Sequence, residues 1–452
     1  MKIIIVGCGK IGTALIESLV EEEHDIVAID TSRKVLEEIN NIYDVMCVCG
    51  NGADSDTLIE ADAGKADLFI AVTGSDELNM LSSFFAKQMG AEYTVARIRK
   101  TDYNDDSLSF MKKTLSLSLP INPEYRAAKE LYNILKMPSA VKIESFSSGS
   151  FEMVELRLKP DSRLHGMSLS EMRGKYKAKF LICAVQRDGE VIIPSGNFVL
   201  KGGDRIGLTA SQPEILKLLK ELDLMQKQAK NVIILGGSRI AFYLAKRLIN
   251  AGNNVKIIEQ NIERCEEISE LLPAVSVIHA DGTQQEVLEE EGISTTDAFV
   301  ALTGIDEENI LISYFAQKKG VPKVIAKVNR DELAGIADDM GLDCVISPKK
   351  IIADVLTQYA RALHNSMGSK VETLYKLMDS NVEALEFNVS ADFRGVQIPL
   401  KELSLKPHVL IAGIIRGKVT LIPAGDDVIL PGDKVIIIAQ QKGLSDLSDI
   451  LG

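Results

Sequence analysis

Lys2–Asp30 reads KIIIVGCGKIGTALIESLVEEEHDIVAID, and this stretch decides the fold. An apolar run of strand type, Ile3 to Val6, meets Gly7-Cys8-Gly9-Lys10-Ile11-Gly12, which opens an amphipathic segment from Ile11 to Val20. A second apolar run, Ile26 to Ile29, ends in Asp30. In a G-x-G-x-x-G turn so placed, the first glycine allows the tight bend and the second lets a pyrophosphate approach the backbone. The third lets helix and strand pack closely. Phosphates then lie against the unpaired N–H groups of the helix N-terminus, where the dipole favours negative charge. A carboxylate at the end of the next strand accepts hydrogen bonds from the ribose hydroxyls. Gly7, Cys8, Gly9, Lys10, Ile11, Gly12 and Asp30 are therefore expected to hold an adenine dinucleotide. Because an acid at position 30 repels a 2′-phosphate, NAD+ or NADH is favoured over NADP.

Three more strand-like runs follow, Val45 to Val48, Leu68 to Val72 and Thr94 to Ile98, with a helix-like piece at Asp76 to Met89. Alternating strand and helix predicts a parallel sheet covered on both faces. Ligands bind such sheets at the C-terminal ends of the strands, which singles out Asn51 for the adenine edge, Thr73 and Gly74 near the pyrophosphate, and Arg97, with Arg99, to offset phosphate charge. For Asn51, Thr73 and Arg97 an ordinary loop or capping role competes with ligand contact.

The chain then says the same thing again. Asn231–Glu259 reads NVIILGGSRIAFYLAKRLINAGNNVKIIE, ADLFIAVTGSDELN at Ala66 to Asn79 returns as TDAFVALTGIDEEN at Thr296 to Asn309, and VIIPSG with GGD returns as TLIPAG with PGD. The whole is a tandem duplication of two modules. Its expected fold class is α/β, with two Rossmann-like parallel-sheet nucleotide-binding domains, each followed by a small α+β domain. The expected domains span 1–122, 140–224, 230–346 and 370–452. In the second copy Gly236, Gly237, Ser238, Arg239, Ile240 and Ala241 replace the first turn, so Ser238 and Ala241 stand where the second and third glycines stood. Glu259 keeps the acidic position, and Asp281, Thr303 and Lys327 align with Asn51, Thr73 and Arg97. A side chain now crowds the closest approach of a pyrophosphate. The second site is expected to bind nucleotide more weakly, to take ATP or ADP instead, or to stay empty.

Between modules, Val141 to Ser150 reads as a Ser/Gly-rich loop, and Gln226 to Lys230 and Asn365 to Lys370 read as connectors. Asn122 is a suitable N-cap with Pro123 in the first helical turn, a device repeated at Ser347-Pro348. Cys47 and Cys49 alternate along a strand and read as a buried pair of small hydrophobes. No apolar run is long enough to span a bilayer, and the first residues lead straight into a strand, so a cytoplasmic chain is expected. The net charge of -13 opposes broad nucleic-acid binding. The five histidines show no catalytic spacing, so no enzyme is expected and no metal site; the competing class is an NAD-dependent oxidoreductase, which would need a proton donor beside the nicotinamide.

These residues carry a resemblance. GCGKIG with Asp30, the VTGSDELN and LTGIDEEN segments, the helices capped before Pro123 and Pro348, and the paired PSG/GGD and PAG/PGD segments resemble the family of tandem regulatory domains of bacterial Trk potassium uptake systems, the domains that regulate K+ conductance (RCK). The resemblance covers essentially the whole chain. It implies a peripheral protein on the inner face of the cell membrane that forms a homo-oligomeric ring and docks on a membrane-embedded potassium channel or transporter subunit of the TrkH type. The ring would alter the partner's gating when NAD(H) or adenine nucleotides bind. A regulator of another cation transporter is the alternative within the same class.

Overall fold

The computed structural model describes residues 1–99, 110, 112–146, 151–225, 228–342, 344–366, 371–378, 382–440, 444 and 446–452. The first parallel sheet is built from β1 (Lys2–Val6), β2 (Asp25–Asp30), β3 (Met46–Cys49), β4 (Leu68–Ala71), β5 (Tyr93–Arg97) and β6 (Leu119–Ile121), in the order β3-β2-β1-β4-β5-β6. Its central strands, IIIV in β1 and LFIA in β4, are buried throughout because helices cover both faces. Val6 pairs with both Ile29 and Ala71, so the glycine turn that follows β1 lies between the ends of β2 and β4. Strand order reverses at that point, which is where open α/β sheets bind ligands.

β6 is a strand that the sequence reading treated only as the approach to a helix. It pairs parallel to β5, Val95 with Leu119 and Arg97 with Ile121, and Pro120 is tolerated there because β6 is an edge strand. Asn122 then caps the helix Pro123–Lys136 as expected, its Oδ1 accepting the N–H of Tyr125 at 2.9 Å. Cys47 and Cys49 depart from the expected buried pair: Cys47 is half-buried and Cys49 is exposed, because β3 is the other edge of the sheet.

The chain divides into two compact units. One comprises Met1–Ala128 with Ser347–Arg361, so the start of the helix Pro348–Ser366, from the second half of the sequence, belongs to the first Rossmann unit. There Arg361 pairs with Glu22, both side chains being mostly buried. The other unit comprises Lys129–Ile346 with Ala362–Gly452. It contains the first small module, with β7 (Lys142–Phe146), β8 (Phe151–Arg157), β9 (Leu181–Arg187), β10 (Glu190–Ile192) and β11 (Arg205–Ala210). The second parallel sheet follows, with β12 (Asn231–Leu235), β13 (Asn254–Glu259), β14 (Ser276–His279), β15 (Ala298–Ala301), β16 (Lys323–Lys327) and β17 (Val345–Ile346), in the order β14-β13-β12-β15-β16-β17. The last module has β18 (Val371–Leu377), β19 (Val382–Asn388), β20 (Val409–Arg416), β21 (Val419–Leu421) and β22 (Lys434–Ala439).

The two small modules have matching antiparallel topology, β7-β8-β11-β9-β10 and β18-β19-β22-β20-β21. Part of the stretch read as a loop from Val141 to Ser150 is the strand β7, which pairs with β8; residues 147–150 lie outside the described residues. Serines hid the strand, while the buried Phe146 holds it, its ring 4.8 Å from that of Tyr375 in an edge-on contact. Alternation along β8 sends Val154 and Leu156 into the core of the first module and Phe151 and Met153 into a core shared with Val382, Ala384, Ala412 and Ile436 of the last. The two small modules therefore bury one another's sheets. Among the described residues no helix is long and apolar enough to cross a membrane.

Gly413 lets the Phe151 ring lie against β20, since a Cβ there would stand 2.6 Å from Cζ of Phe151. Replacing Phe151 by Ala is expected to cost about 3–5 kcal/mol, and Gly413→Val is expected to destabilise through overlap with the same ring. Denaturant melts of the whole chain check both, and an unchanged midpoint for Phe151→Ala contradicts the shared core.

Candidate nucleotide sites

Gly7 sits at φ +94, a left-handed conformation, and a Cβ on it would approach Cα and N of Thr73 to 2.8 Å. Gly12 is tighter still: its Cβ would lie 1.9 Å from the carbonyl oxygen of Gly7. Gly9 is different, because a Cβ there would meet nothing within 4 Å. Gly9 is the N-cap of the helix Lys10–Val20, makes no side-chain cap, and the first turn carries no acidic residue. The backbone N–H groups at this helix end are thus open on the side a phosphate would approach.

Asp30 is fixed at the end of β2 by the backbone. Its Oδ2 accepts the N–H of Cys8 at 2.8 Å and its Oδ1 the N–H of Ser32 at 2.9 Å, which leaves each oxygen a further lone pair for a hydroxyl. Cys8 turns its thiol to the carbonyl of Ile29, and burial, with Asp30 next in weight, pushes that thiol up to about 12. It is therefore a neutral filler at physiological pH, neither nucleophile nor redox centre.

Thr73 is held by Asn79, whose Oδ1 accepts both the N–H and the hydroxyl of Thr73 at 2.7 Å. The Asn79 amide in turn donates to the carbonyl oxygen of Arg97 at 2.9 Å, so one buried side chain ties the Thr73-Gly74 loop to the end of β5. Gly74 again has open space where a side chain would be. Sequence reading overlooked Asn79 although it lies inside the repeated segment; its counterpart Asn309 accepts the N–H of Thr303 and donates to the carbonyl of Lys327. Arg97 faces away from the expected phosphate role. Its guanidinium pairs with Glu124 at 3.2 Å, both side chains being 15% exposed, and burial holds it below its ordinary range. Arg99 instead reaches the loop, bonding the carbonyl of Gly74 and the carboxylate of Asp76. Asn51 closes a local turn by accepting the N–H of Ala53 at 3.0 Å.

In the second half the acid is one methylene longer and the turn has adjusted. Glu259 accepts the N–H of Gly237 at 2.6 Å and that of Asn261 at 2.8 Å, reproducing the Asp30 arrangement. Glycine replaces Cys8 here because a Cβ at Gly237 would stand 2.8 Å from Cδ1 of Ile268 and 3.1 Å from Oε2 of Glu259. Ser238 caps the helix Arg239–Asn250 itself, its Oγ accepting the N–H of Ala241 at 3.3 Å. One N–H that stays open in the first site is thereby occupied. Asp281 closes a turn on Thr283, whose hydrogen bonds hold the carboxylate below its usual range.

A cavity of about 560 Å³ brings together Gly236, Gly237, Ser238, Arg239, Glu259, Asp281 and Thr303; Ile240, which is buried, and Lys327 are not among its lining residues. Two further lining residues escaped the sequence reading. Arg264 donates from Nε to the carbonyl of Gly237 at 2.6 Å, and Glu308 accepts from the hydroxyl of Thr303 at 3.4 Å. Their signal was divergence between the copies, since Val35 and Leu78 hold the equivalent places in the first half.

Comparison with known proteins places the chain in a family. The TrkA-N domain model matches residues 3–111 and 232–348, and the TrkA-C domain model matches 153–223 and 385–452. The Trk system potassium uptake protein TrkA homolog of Archaeoglobus fulgidus is 31% identical over 450 residues, 100% of each chain. The Trk system potassium uptake protein TrkA of Halomonas elongata is 30% identical, over 98% of this chain and 96% of its own. Among solved structures, the RCK domain of GsuK aligns with a TM-score of 0.63 at 17% identity, covering 97% of this chain and 92% of that one. The GsuK channel bound to NAD aligns with a TM-score of 0.63 at 17% identity, covering 97% and 76%. With two TrkA-N domains, each followed by a TrkA-C domain, along its full length, the chain belongs to the TrkA family.

Proposed function

We propose that this chain is a cytoplasmic, peripheral regulatory subunit of a potassium uptake system. It binds NAD+ or NADH at Gly7–Gly12 and Asp30, takes ATP or ADP in the second cavity, and passes the change to a membrane-embedded potassium channel or transporter subunit, of the TrkH type, as a homo-oligomeric ring. The observation that carries this reading is the Asp30 carboxylate, fixed by two backbone N–H groups beside an uncapped helix end. A ribose and a pyrophosphate complement that pair of features. Its relatives are named for potassium uptake, and the similarly folded GsuK channel binds NAD and, in another structure, ADP.

The nucleotide acts as a signal and leaves unchanged. A ligand shifts gating only through its preference for one arrangement of the regulator over another, a coupling typically of about 1–3 kcal/mol. The two sites suit such a role because they differ. Self-capping by Ser238 and the Arg264 side chain at the second turn disfavour the close diphosphate contact available at Gly9, so the second site binds adenine nucleotides, ATP or ADP, more weakly than the first binds NAD+ or NADH.

Asp30→Ala is expected to weaken NADH binding by about tenfold or more, equivalent to about 1.4 kcal/mol, while ADP binding at the second cavity stays unchanged. Titration of the purified chain with each nucleotide reads this, and K+ flux through the reconstituted partner should lose its NADH response. A retained response would remove the first site from the mechanism, and oxidation of NADH by candidate carbonyl substrates would replace regulation by catalysis. Ser238→Gly is expected to free the Ala241 N–H and strengthen ADP binding a few-fold, at a cost to the helix of only a few tenths of a kcal/mol; weaker ADP binding in that variant contradicts the capping argument.

A further inference from the structure

A second cavity, of about 390 Å³, lies between the first small module and the second Rossmann sheet, within one compact unit. Its size is at the small end of ligand pockets, about 300–1,000 Å³. Val141, Leu156, Leu158, Val324 and Leu342 give it apolar walls. Among the described residues three cations line it, Arg157, Lys159 and Lys323, and no carboxylate does. That sign is unexpected in a chain of net charge -13.

Arg157 is already matched, by Asp338 at 2.6 Å, and Lys159 is exposed. Lys323 is the informative residue. It is only 5% exposed, and its ammonium donates one hydrogen bond, to the carbonyl of Ala140 at 2.7 Å, between the lining residues Ser139 and Val141. An ammonium carries three donors, and a buried charge is tolerated when it is paired and hydrogen-bonded. Among the described residues no carboxylate forms an ion pair with Lys323. This buried cation beside an apolar cavity has no anionic partner among the described residues, and the cavity has room for one.

We propose that this cavity is a binding site for a small organic monocarboxylate, its carboxylate on Lys323 and its apolar body against the valine and leucine walls. A single buried ammonium in apolar surroundings matches one negative charge on a hydrocarbon stem. A phosphate dianion would leave oxygens without donors there. Because Leu156 and Leu158 belong to the first small module and Lys323 and Val324 to β16, the ligand would bridge the two. β16 also ends at Lys327, whose carbonyl holds Asn309 and through it Thr303 of the nucleotide cavity. The carboxylate would thus act on the strand that supports the second nucleotide site. This site stands independently of the nucleotide reading.

The test is titration calorimetry of the full chain with hexanoate and with hexan-1-ol, which shares the stem and lacks the charge. Hexanoate is expected to bind saturably and hexan-1-ol about tenfold more weakly or worse, as loss of a buried charge partner implies. Lys323→Met, which keeps the volume and removes the charge, is expected to lower hexanoate affinity by a similar factor while NADH binding at the first site is unchanged. Equal binding of acid and alcohol, or an unaltered hexanoate affinity in Lys323→Met, overturns the proposal. Should that variant fail to fold, Leu342→Phe fills the cavity instead; it is expected to abolish hexanoate binding, and full binding in it overturns the site equally.

Discussion

Gly12 can stand where it does only because it has no side chain, since a Cβ would fall 1.9 Å from the carbonyl oxygen of Gly7. That close approach presses the helix Lys10–Val20 onto the turn and aims its open N–H groups over the end of the sheet. The remaining features of the edge are arranged around it. Asp30 holds the turn from β2, Thr73 abuts Gly7 from β4, and Asn79 fastens Thr73 to β5. The ties made by Asp30 and Asn79 are hydrogen bonds between a buried or half-buried side chain and the backbone, and leaving such a group unsatisfied is what costs most. The geometry of this edge is therefore set by the chain's own hydrogen bonds and close contacts.

Duplication shows which parts of that arrangement can vary. The acid lengthens from Asp30 to Glu259, and the residue whose N–H it accepts shrinks from Cys8 to Gly237, because the longer carboxylate and Ile268 need the space. The two changes compensate one another and preserve the hydrogen bond. At the third glycine the second copy carries Ala241, and a Cβ on Gly236 would approach its neighbours to 3.1 Å where one on Gly7 would approach to 2.8 Å. A looser turn accommodates the extra methyl. Asn79 and Asn309 share the bonds to the loop threonine's N–H and to the carbonyl ending the fifth strand, which marks them as part of the scaffold and separates them from the variable glycine-turn side.

The Rossmann halves were legible because their strands are continuous apolar runs and their glycine turn has a fixed spacing; those signals are local. What the sequence concealed depends on partners distant in the chain. Arg97 looked like a phosphate ligand because it ends a strand at the binding edge, yet Glu124 on the following helix takes its charge. β7 looked like a loop because serines flank it, and part of what Phe146 packs on comes from the distant last module. Cys49 was read as buried from strand alternation, which identifies a face but not an edge. Ion pairs and shared cores of this kind have no period for a sequence reading to find.

The shared core of the two small modules gives duplication a physical consequence. Two identical modules in separate chains would meet through a self-complementary interface, in which any change appears on both sides at once. Joined in one chain, they meet at a high effective concentration set by the linkage, and each side can change alone. The seam bears that mark: Glu155 pairs with Arg205 on one side and Glu386 with Lys434 on the other, and Gly413 faces Phe151. The two glycine-turn edges have diverged under the same freedom, one open at Gly9 and the other capped by Ser238. A single polypeptide can thus keep one architecture while presenting two chemically distinct binding edges, which a symmetric pair of identical chains cannot do.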